Sequence, residues 1–212
     1  MVLKSAEKNQ AGYGMLVLSG PSGSGKTTLV KRLLMTVPDL RFAISHTTRK
    51  RRPGETSGVD YHFVDKHEFK SMIDTRAFLE WARVHGQYYG TSWAALKPPG
   101  EEDGTLILDL DVQGAESVRE RLPGSMSVFI MPPSLRELRR RLMDREPEWT
   151  DAMEKRLVAA KKEMSVHGAF DFVVVNDVLE NALTALIHIA CAVRQLTPLQ
   201  SERVKAILGK KP

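Results

Sequence analysis

The segment from Leu16 to Leu34, LVLSGPSGSGKTTLVKRLL, constrains the fold more strongly than any other part of the chain. A short apolar run leads into three glycines and a lysine, and apolar residues then recur at helical spacing. This order predicts a strand, a tight loop and a helix. The loop from Gly20 to Thr27 fills every fixed position of the P-loop template, which is glycine, four free positions, glycine, lysine, and serine or threonine.

Each residue type in this loop suits a triphosphate. Glycines allow successive backbone N–H groups to turn inward around an anion, and the following helix adds the positive end of its dipole. Lys26 can reach the β- and γ-phosphates, and the Thr27 hydroxyl can ligate magnesium. A glycine-rich turn that binds nothing is the alternative, but it would not require all the fixed positions. The predicted ATP-binding residues of the loop are Gly20, Pro21, Ser22, Gly23, Ser24, Gly25, Lys26, Thr27 and Thr28.

Length and composition narrow the possible classes of protein. A chain of 212 residues can form one domain with a full core, and 42% hydrophobic with 27% charged residues excludes wholesale disorder and a fibrous fold. The net charge of +5 and the basic run 49–52 would suit either a nucleic acid or small polyphosphate substrates. Because no zinc-ligand spacing or aromatic-rich platform accompanies the run, we expect polyphosphates and no nucleic acid.

Apolar segments also bear on location. Residues 1–14 lack the apolar core of a signal peptide and are expected to form a flexible tail. The longest apolar stretch, 182–193, is too short for a membrane span and carries His188, so we expect a cytoplasmic protein without membrane contact. The single cysteine, Cys191, lies in this stretch and is predicted to be a buried structural thiol rather than a reactive one.

Strand-length apolar runs alternate with helical periodicity along the chain. The runs lie at 15–19, 41–45, 105–110, 126–131 and 171–175. This alternation predicts an α/β fold in which helices cover both faces of a parallel sheet. Capping-box patterns at 65–68 and 134–137 indicate helix starts, and an apolar stripe from Leu179 to Val193 indicates a helix packed on the core.

Two regions interrupt the alternation. Residues 46–95 are rich in tyrosine, glycine, arginine and threonine, with one clear helical pattern near 66–74, and we interpret them as an inserted substrate lobe. The polar stretch 144–151 follows an arginine-dense helical segment. It fits either a mobile lid over phosphates or an ordinary solvated loop.

The inserted lobe carries side chains suited to a second phosphate. Guanidinium groups fork onto phosphate oxygens, and phenolic hydroxyls supply donors without charge. Arg49, Arg52, Tyr61 and Tyr89 therefore predict a second phosphate pocket.

Two carboxylates lie at the end of the mainly apolar run at 105–110. Asp109 and Asp111 are predicted to end a strand, to point to the same side and to face the ligand crevice at the carboxyl edge of the sheet. A charged strand end that meets only solvent is the alternative.

The motifs across residues 14–190 together resemble the guanylate kinases, which transfer the γ-phosphoryl group of ATP to GMP. The motifs are the P-loop, SxTTRxxRxGE (45–55), DYxF (60–63), EW (80–81), GxYYG (86–90), LDLDxQG (108–114) and VND (175–177). The resemblance implies a three-layer P-loop fold with a five-stranded parallel sheet, an inserted small α+β GMP-binding lobe and a lid. Here the core would comprise 15–45 and 96–196, the lobe 46–95, the lid 137–155 and a basic C-terminal tail 197–212, in which 201–208 are expected to form a helix.

The resemblance also implies roles for single residues. The GMP-binding residues would be Ser45, Arg49, Arg52, Tyr61, Glu80, Tyr89, Thr91 and Asp111. The catalytic cations would be Lys26, Arg49, Arg141, Arg145 and Arg156, of which the last three would clamp the transferring phosphoryl group when the lid closes. Mg²⁺ would accompany ATP and be held by Thr27 and Asp109, and Asn176 would lie beside adenine.

Glu80 would select the base. By resemblance its two oxygens accept from the guanine N1–H and N2 amine, groups that adenine lacks on that edge. Without the resemblance, a single glutamate beside Trp81 would be expected at the surface.

The sequence departs from the family pattern at two places. Asp144, Glu146 and Pro147 stand where relatives usually keep glycines beside the position of Arg145, which predicts slower lid closure rather than a different reaction. Thr91 stands where the family often has serine, and it keeps the hydroxyl.

Two other functions remain open alongside ATP:GMP transfer. A non-catalytic guanylate-kinase-like module would bind protein partners, although such modules typically lose the P-loop lysine or the nucleotide-reading residues. A kinase for another nucleoside monophosphate would share the P-loop but not the base contact. The oligomeric state and the preference between GMP and dGMP are left open by the sequence.

Overall fold

The computed structural model describes residues 14–84, 86–96, 104–144 and 151–209. The expectations for residues 1–13 and for Arg145, Glu146 and Pro147 lie outside these ranges. The strands are β1 (Gly14–Ser19), β2 (Leu40–Phe42), β3 (His46–Thr47), β4 (His62–Phe63), β5 (Phe78–Val84), β6 (Gln87–Ser92), β7 (Thr105–Asp109), β8 (Met126–Met131) and β9 (Phe172–Val175). The α-helices are α1 (Lys26–Thr36), α2 (Lys66–Asp74), α3 (Val112–Arg121), α4 (Leu135–Met143), α5 (Asp151–Ser165), α6 (Leu179–Val193) and α7 (Thr197–Ile207).

The main sheet has five parallel strands in the order β2-β7-β1-β8-β9. The strand that leads into the P-loop, β1, is central and buried along its whole length. This confirms the predicted α/β fold with a five-stranded parallel sheet. The carboxyl ends of β1 and β7 are neighbours, which brings the residues that follow them to one edge.

Alternating side chains of β1 pack on two separate apolar layers. Leu16 and Leu18 belong to the cluster that includes residues of α1 and α6, whereas Met15 and Val17 belong to the cluster that includes Ala115 of α3. Successive side chains of a strand point to opposite faces, so both faces of the sheet are covered. The three-layer arrangement is thereby confirmed.

A second sheet of four strands, in the order β4-β3-β6-β5, is mixed in direction. Phe69 of α2 stacks on Phe78 and on Tyr88, with ring centroids 4.5 and 5.3 Å apart, and so packs the helix against this sheet. The prediction of a continuous strand over 41–45 is wrong. After β2 ends at Phe42, the Ala43 N–H still bonds to the main sheet, but the Ser45 carbonyl accepts from His62 in the second sheet, because the chain crosses between sheets here.

An ion pair joins a helix of the main sheet to a loop of the second sheet. Lys31 of α1 places its Nζ 2.8 Å from a carboxylate oxygen of Asp60, in the loop before β4. The lysine side chain is 59% exposed and the aspartate 13% exposed. The pair therefore links the helix that starts at the P-loop to the inserted segment.

The apolar stripe of α6 is buried as predicted, but the thiol is not. Ala182, Leu183, Leu186, Ala190 and Val193 are buried against the sheet. Cys191 is exposed, so the prediction of a buried thiol is wrong. One residue advances a helix by about 100°, which turns position 191 away from the stripe that contains position 190.

Helix termini follow the sequence signals closely. Asp65 accepts from the Glu68 N–H at 2.8 Å and Ser134 from the Glu137 N–H at 3.0 Å. The helix expected at 201–208 begins earlier, at Thr197, where Pro198 fits a first turn.

Within the described ranges, no single helix is long and apolar enough to cross a membrane. In these ranges, only α6 and α7 taken together have the length and apolar composition of a membrane span, and the two helices bend by 45° at their junction.

Candidate active site

The P-loop connects the central strand to α1 through backbone angles that suit glycine. Gly20, Gly23 and Gly25 have φ values of 141°, 90° and 94°. A β-carbon on Gly20 would also lie 2.3 Å from the carbonyl oxygen of Ile130. Lys26 Nζ donates to the Gly20 carbonyl at 2.6 Å, so the ammonium group lies across the turn of the loop.

One cavity joins the P-loop to the second sheet and contains most of the residues expected to bind nucleotides. The predicted site residues in its wall are Gly20, Pro21, Ser22, Gly23, Gly25, Lys26, Thr27, Ser45, Arg49, Arg52, Tyr61, Glu80, Tyr89, Asp109, Asp111 and Arg156. These residues come from the main sheet edge, the inserted segment and α5. The fold thus brings together groups separated by more than a hundred positions in the sequence.

Glu80 lies on β5 and lines this cavity. It is 5% exposed, although the residue pattern alone favoured the surface. Its Oε1 accepts from the Thr91 N–H at 2.7 Å, and a β-carbon on Gly114 would lie 2.7 Å from its Oε2. Burial raises the pKa of the Glu80 carboxyl to about 7, and Asp111 adds to this while Thr91 and Arg121 oppose it. The carboxylate is therefore fixed in position and short of donors.

Two buried hydroxyl groups, those of Ser45 and Thr91, pair with each other near this carboxylate. Ser45 Oγ and Thr91 Oγ1 are 2.9 Å apart and both residues are buried. Either oxygen can be the donor in this pair. Ser45 lines the cavity, whereas Thr91 does not. Thr91 instead holds two lining residues in place, Ser45 through its hydroxyl and Glu80 through its backbone N–H.

The residues of the predicted phosphate pocket, Arg49, Arg52, Tyr61 and Tyr89, also line this cavity. Arg49 is fixed by Glu55, with N–O distances of 2.8 and 2.9 Å, and its guanidinium lies 5.4 Å from the Tyr61 ring centroid. The Tyr61 and Tyr89 rings are 6.0 Å apart. Burial raises the pKa of the Tyr61 hydroxyl, which keeps it a neutral donor. Cations and phenols thus converge on one part of the cavity, as an anion requires.

The two aspartates have different structural positions. Asp109 ends β7, whereas Asp111 lies beyond the strand and caps α3, since its Oδ1 accepts from the Gly114 N–H at 2.8 Å. The expectation that both residues end the strand is wrong for Asp111, but both face the cavity as predicted. Burial raises the pKa of each carboxyl, and Lys26 opposes both shifts.

A second cavity lies on the other side of the P-loop. It is lined by Gly23, Gly25, Thr28, Arg141, Asp144, Asn176, Asp177 and Leu179. Asn176 Nδ2 donates to the Ser24 carbonyl at 2.7 Å, and Arg141 donates to the same carbonyl at 3.3 Å. Because Gly23 and Gly25 line both cavities, the loop is the wall between them.

Of the three expected clamp arginines, the two that the structure describes line different cavities. Arg156 lies in the first cavity, 3.4 Å from Ser22 Oγ. Arg141 is turned toward the second cavity, because Glu137 binds its Nε at 2.8 Å and the carbonyl of Asn176 its NH2 at 3.0 Å. Arg145 is outside the described residues.

The comparisons with known proteins decide the family. The family model for guanylate kinase matches residues 13–192. The chain belongs to the guanylate kinase family. A guanylate kinase of Coxiella burnetii is 39% identical over 198 residues, covering 92% of this chain and 95% of that protein. One from Dechloromonas aromatica is 47% identical over 174 residues, covering 81% of this chain and 85% of that protein.

A solved guanylate kinase also shares the fold. The crystal structure of the enzyme from Anaplasma phagocytophilum superposes with a TM-score of 0.73 and 32% sequence identity. The match covers 90% of this chain and 95% of that one.

Two charged residues of the cavity region were not assigned a role from the guanylate kinase motifs. Glu55 holds Arg49 and also accepts from the Arg52 N–H at 2.8 Å; its place in the SxTTRxxRxGE motif was the available signal. Glu163 lines the first cavity from α5. Its helical spacing of seven residues from Arg156 would have put both on one face, but nothing in the sequence showed which face meets the cavity.

Proposed function

We propose that the protein transfers the γ-phosphoryl group of ATP to GMP, with the ATP triphosphate on the P-loop and GMP in the first cavity. One observation carries this proposal: a buried carboxylate, Glu80, lines the same cavity as the P-loop. Membership of the guanylate kinase family supports the same reaction.

Glu80 selects the base by pairing. Thr91 already satisfies one lone pair of the carboxylate, and the guanine N1–H and N2 amine supply further donors. Adenine offers neither donor on that edge and would leave a buried charge unpaired. Sites of this kind discriminate by about 10⁴-fold. Ser45, whose hydroxyl is paired with Thr91, contacts guanine O6.

Transfer itself depends on alignment and on cations. A phosphate oxygen of GMP is already anionic, so no general base is needed, and the negative charge of the moving group is what must be stabilised. Lys26 acts on the donor, Arg49 and Arg52 hold the acceptor phosphate, and Arg156 approaches the transferring group from α5. Tyr61 and Tyr89 add neutral donors to the acceptor phosphate.

The second cavity holds the nucleoside of ATP. Asn176 and Thr28 contact the adenine side, and Arg141 lies beside them. Arg141 and Arg145 join Arg156 at the phosphates only when the lid closes, which requires Arg141 to leave the Ser24 and Asn176 carbonyls.

The residues near the P-loop fit Mg²⁺ as a companion of ATP. Thr27 and Asp109 line the same cavity and offer a hydroxyl and a carboxylate, the hard oxygen donors that this ion prefers. In the described ranges no group of three or more His, Cys, Asp or Glu side chains is arranged to hold a metal alone, so the phosphates would complete the shell. Bound there, the ion would neutralise charge on the triphosphate.

Small nucleotides, rather than a nucleic acid or a membrane, are the proposed partners, and the cytoplasm is the proposed location. Four cationic side chains, Lys26, Arg49, Arg52 and Arg156, line one cavity rather than an extended surface stripe, which suits free nucleotides.

A substrate panel tests the function. ADP release is coupled to NADH oxidation with ATP as donor and GMP, dGMP, AMP, dTMP or UMP as acceptor, and the diphosphate product is identified by chromatography. We expect GDP to form fastest. No GDP above background would indicate the non-catalytic binding module, and faster turnover of AMP would contradict the role of Glu80.

A further inference from the structure

Glu163 is a carboxylate of the first cavity that the reaction described above does not use. It lies on α5, seven residues after Arg156, so the two side chains share a face and are separated by two helical turns, about 10 Å along the axis. Arg156 meets the P-loop at Ser22. Glu163 therefore lies farther along the same cavity wall.

Charged groups of both signs act on the Glu163 carboxylate. Lys26 attracts its negative charge and Asp111 repels it. Among the described residues, no side chain or backbone group donates a hydrogen bond to its carboxylate or forms an ion pair with it. Burial raises the pKa of the carboxyl, with Lys26 opposing and Asp111 reinforcing the shift. A half-buried acceptor of this kind is stabilised by any ligand that brings hydrogen-bond donors.

The position of Glu163 along the cavity wall indicates which part of the ligand it meets. Arg156, two helical turns away on the same helix, contacts the P-loop, where the phosphates are proposed to lie. In a nucleoside monophosphate the ribose is the next group after the phosphate. A side chain about 10 Å beyond the P-loop contact on the same wall is therefore expected at the level of the sugar.

We propose that the Glu163 carboxylate accepts hydrogen bonds from the ribose hydroxyl groups of GMP and so makes the protein prefer a ribonucleotide to a deoxyribonucleotide. This inference rests on the proposed function, since it requires GMP in the first cavity. A vicinal diol offers two donors, which match the two oxygens of one carboxylate. The neighbouring Asp111 carboxylate cannot donate when ionised, so the sugar is the group that relieves the unpaired acceptor.

The test compares three acceptors in the unmodified protein, two Glu163 variants and one control variant. GMP, 2′-deoxy-GMP and 3′-deoxy-GMP are assayed with the unmodified protein, with Glu163→Ala and with Glu163→Gln, and the dissociation constants are measured by calorimetry without ATP. Glu154→Ala is the matched control, because Glu154 is an exposed glutamate of the same helix that does not line the cavity.

For the unmodified protein, we expect kcat/KM to be higher for GMP than for at least one deoxy analogue. Glu163→Ala should lower kcat/KM for GMP about ten- to hundredfold, the range for a hydrogen bond to a charged group, and should bring GMP level with that analogue. Glu163→Gln, which keeps one oxygen acceptor, should retain part of the preference. Glu154→Ala should leave all values unchanged.

Several results would overturn the proposal. Equal losses for all three acceptors, or a loss expressed only in the KM for ATP, would mean that Glu163 acts through Lys26 or on folding. No loss with GMP, or no preference in the unmodified protein, would also reject it. A protein that phosphorylates no guanine nucleotide at all would instead reject the proposed function, so the two failures are distinguishable.

Discussion

Thr91 donates its backbone N–H to Glu80 Oε1 across the β5–β6 pair at 2.7 Å, while Gly114 of α3 lies against the other oxygen of the same carboxylate. One oxygen is therefore fixed by the second sheet and the other is confined by a helix of the core. The position of the Glu80 carboxylate thus depends on the absence of a side chain at position 114.

Gly114→Ala should separate stability from activity. The new β-carbon would lie 2.7 Å from Glu80 Oε2 and 3.1 Å from Asp111 Oδ1, so the carboxylate must move. We expect the KM for GMP to rise at least about tenfold, as for loss of one charged hydrogen bond, with the KM for ATP unchanged. Gly168→Ala is the control, because a β-carbon there meets nothing within 4 Å. An unchanged KM for GMP would show that Glu80 does not read the base in this position.

GMP binding should strengthen as pH rises through about 7. Burial raises the pKa of Glu80 to about 7 in the unliganded protein, and guanine pairs with the ionised form. Between pH 6 and pH 8 the ionised fraction rises about tenfold, and the dissociation constant should fall by a similar factor. Glu80→Gln should remove this part of the pH dependence, which calorimetry of both proteins will isolate from titration of the GMP phosphate itself. It should also weaken GMP far more than ATP; equal weakening would contradict base reading.

Titration of Glu80 should also change the stability of the folded protein, which should fall as pH rises whereas GMP affinity should increase. The folded protein holds the Glu80 proton up to about pH 7, whereas the ordinary pKa is 4.5, so the folded state binds more protons between these values. The free energy of unfolding therefore falls as pH rises from 4.5 to 7, by on the order of 3 kcal/mol. Glu80→Gln should consequently raise Tm at pH 8 by several degrees relative to the unmodified protein, and less at pH 5. Thermal unfolding monitored by circular dichroism measures this, and an equal shift at both pH values would exclude Glu80 as the cause.

Lys26→Ala should lower kcat by at least about a hundredfold, because the charge that stabilises the transferring phosphoryl group is lost. The Gly20 carbonyl, which now accepts from Lys26, can be solvated through the cavity, so we expect the fold to persist. Stopped assays with radiolabelled ATP will measure the residual rate. Near-normal turnover would remove the P-loop lysine from the mechanism.

Replacement of Thr91 should distinguish its hydroxyl from its methyl group. Thr91→Val keeps the shape but leaves the buried Ser45 hydroxyl without its partner at 2.9 Å, and should weaken GMP by about 1–3 kcal/mol, or roughly five- to hundredfold. Thr91→Ser keeps the hydroxyl, and should remain within a few-fold of the unmodified protein. Similar behaviour of the two variants in steady-state assays would exclude a role for this hydroxyl.

The main sheet could be predicted because its signals are local. The apolar runs and the P-loop state which segments are strands, and parallel strands must place their carboxyl ends at one edge. The exception is the run at 41–45, where hydrophobicity alone could not show that the chain leaves one sheet at Phe42 to enter another.

Side-chain orientations could not be predicted from the sequence as well as the strands could, because they depend on tertiary packing. Burial of Glu80 follows from α3 packing on β5, and rotation of Cys191 out of the core follows from a shift of one residue on a helix. Arg141 turns toward the second cavity because Glu137 and two carbonyls together bind its guanidinium, which motif order does not reveal. The roles of the individual site residues remain predictions that the substitutions above address.

The Lys31–Asp60 ion pair spans the space between the P-loop helix and the inserted segment, with its lysine largely in water. Partly hydrated pairs contribute about 0.2–1 kcal/mol, which biases two arrangements of the segments by no more than about fivefold. Such a bias is weak compared with the energy released when a nucleotide fills the gap. We therefore expect nucleotide binding, rather than this ion pair, to determine how close the P-loop helix and the inserted segment lie.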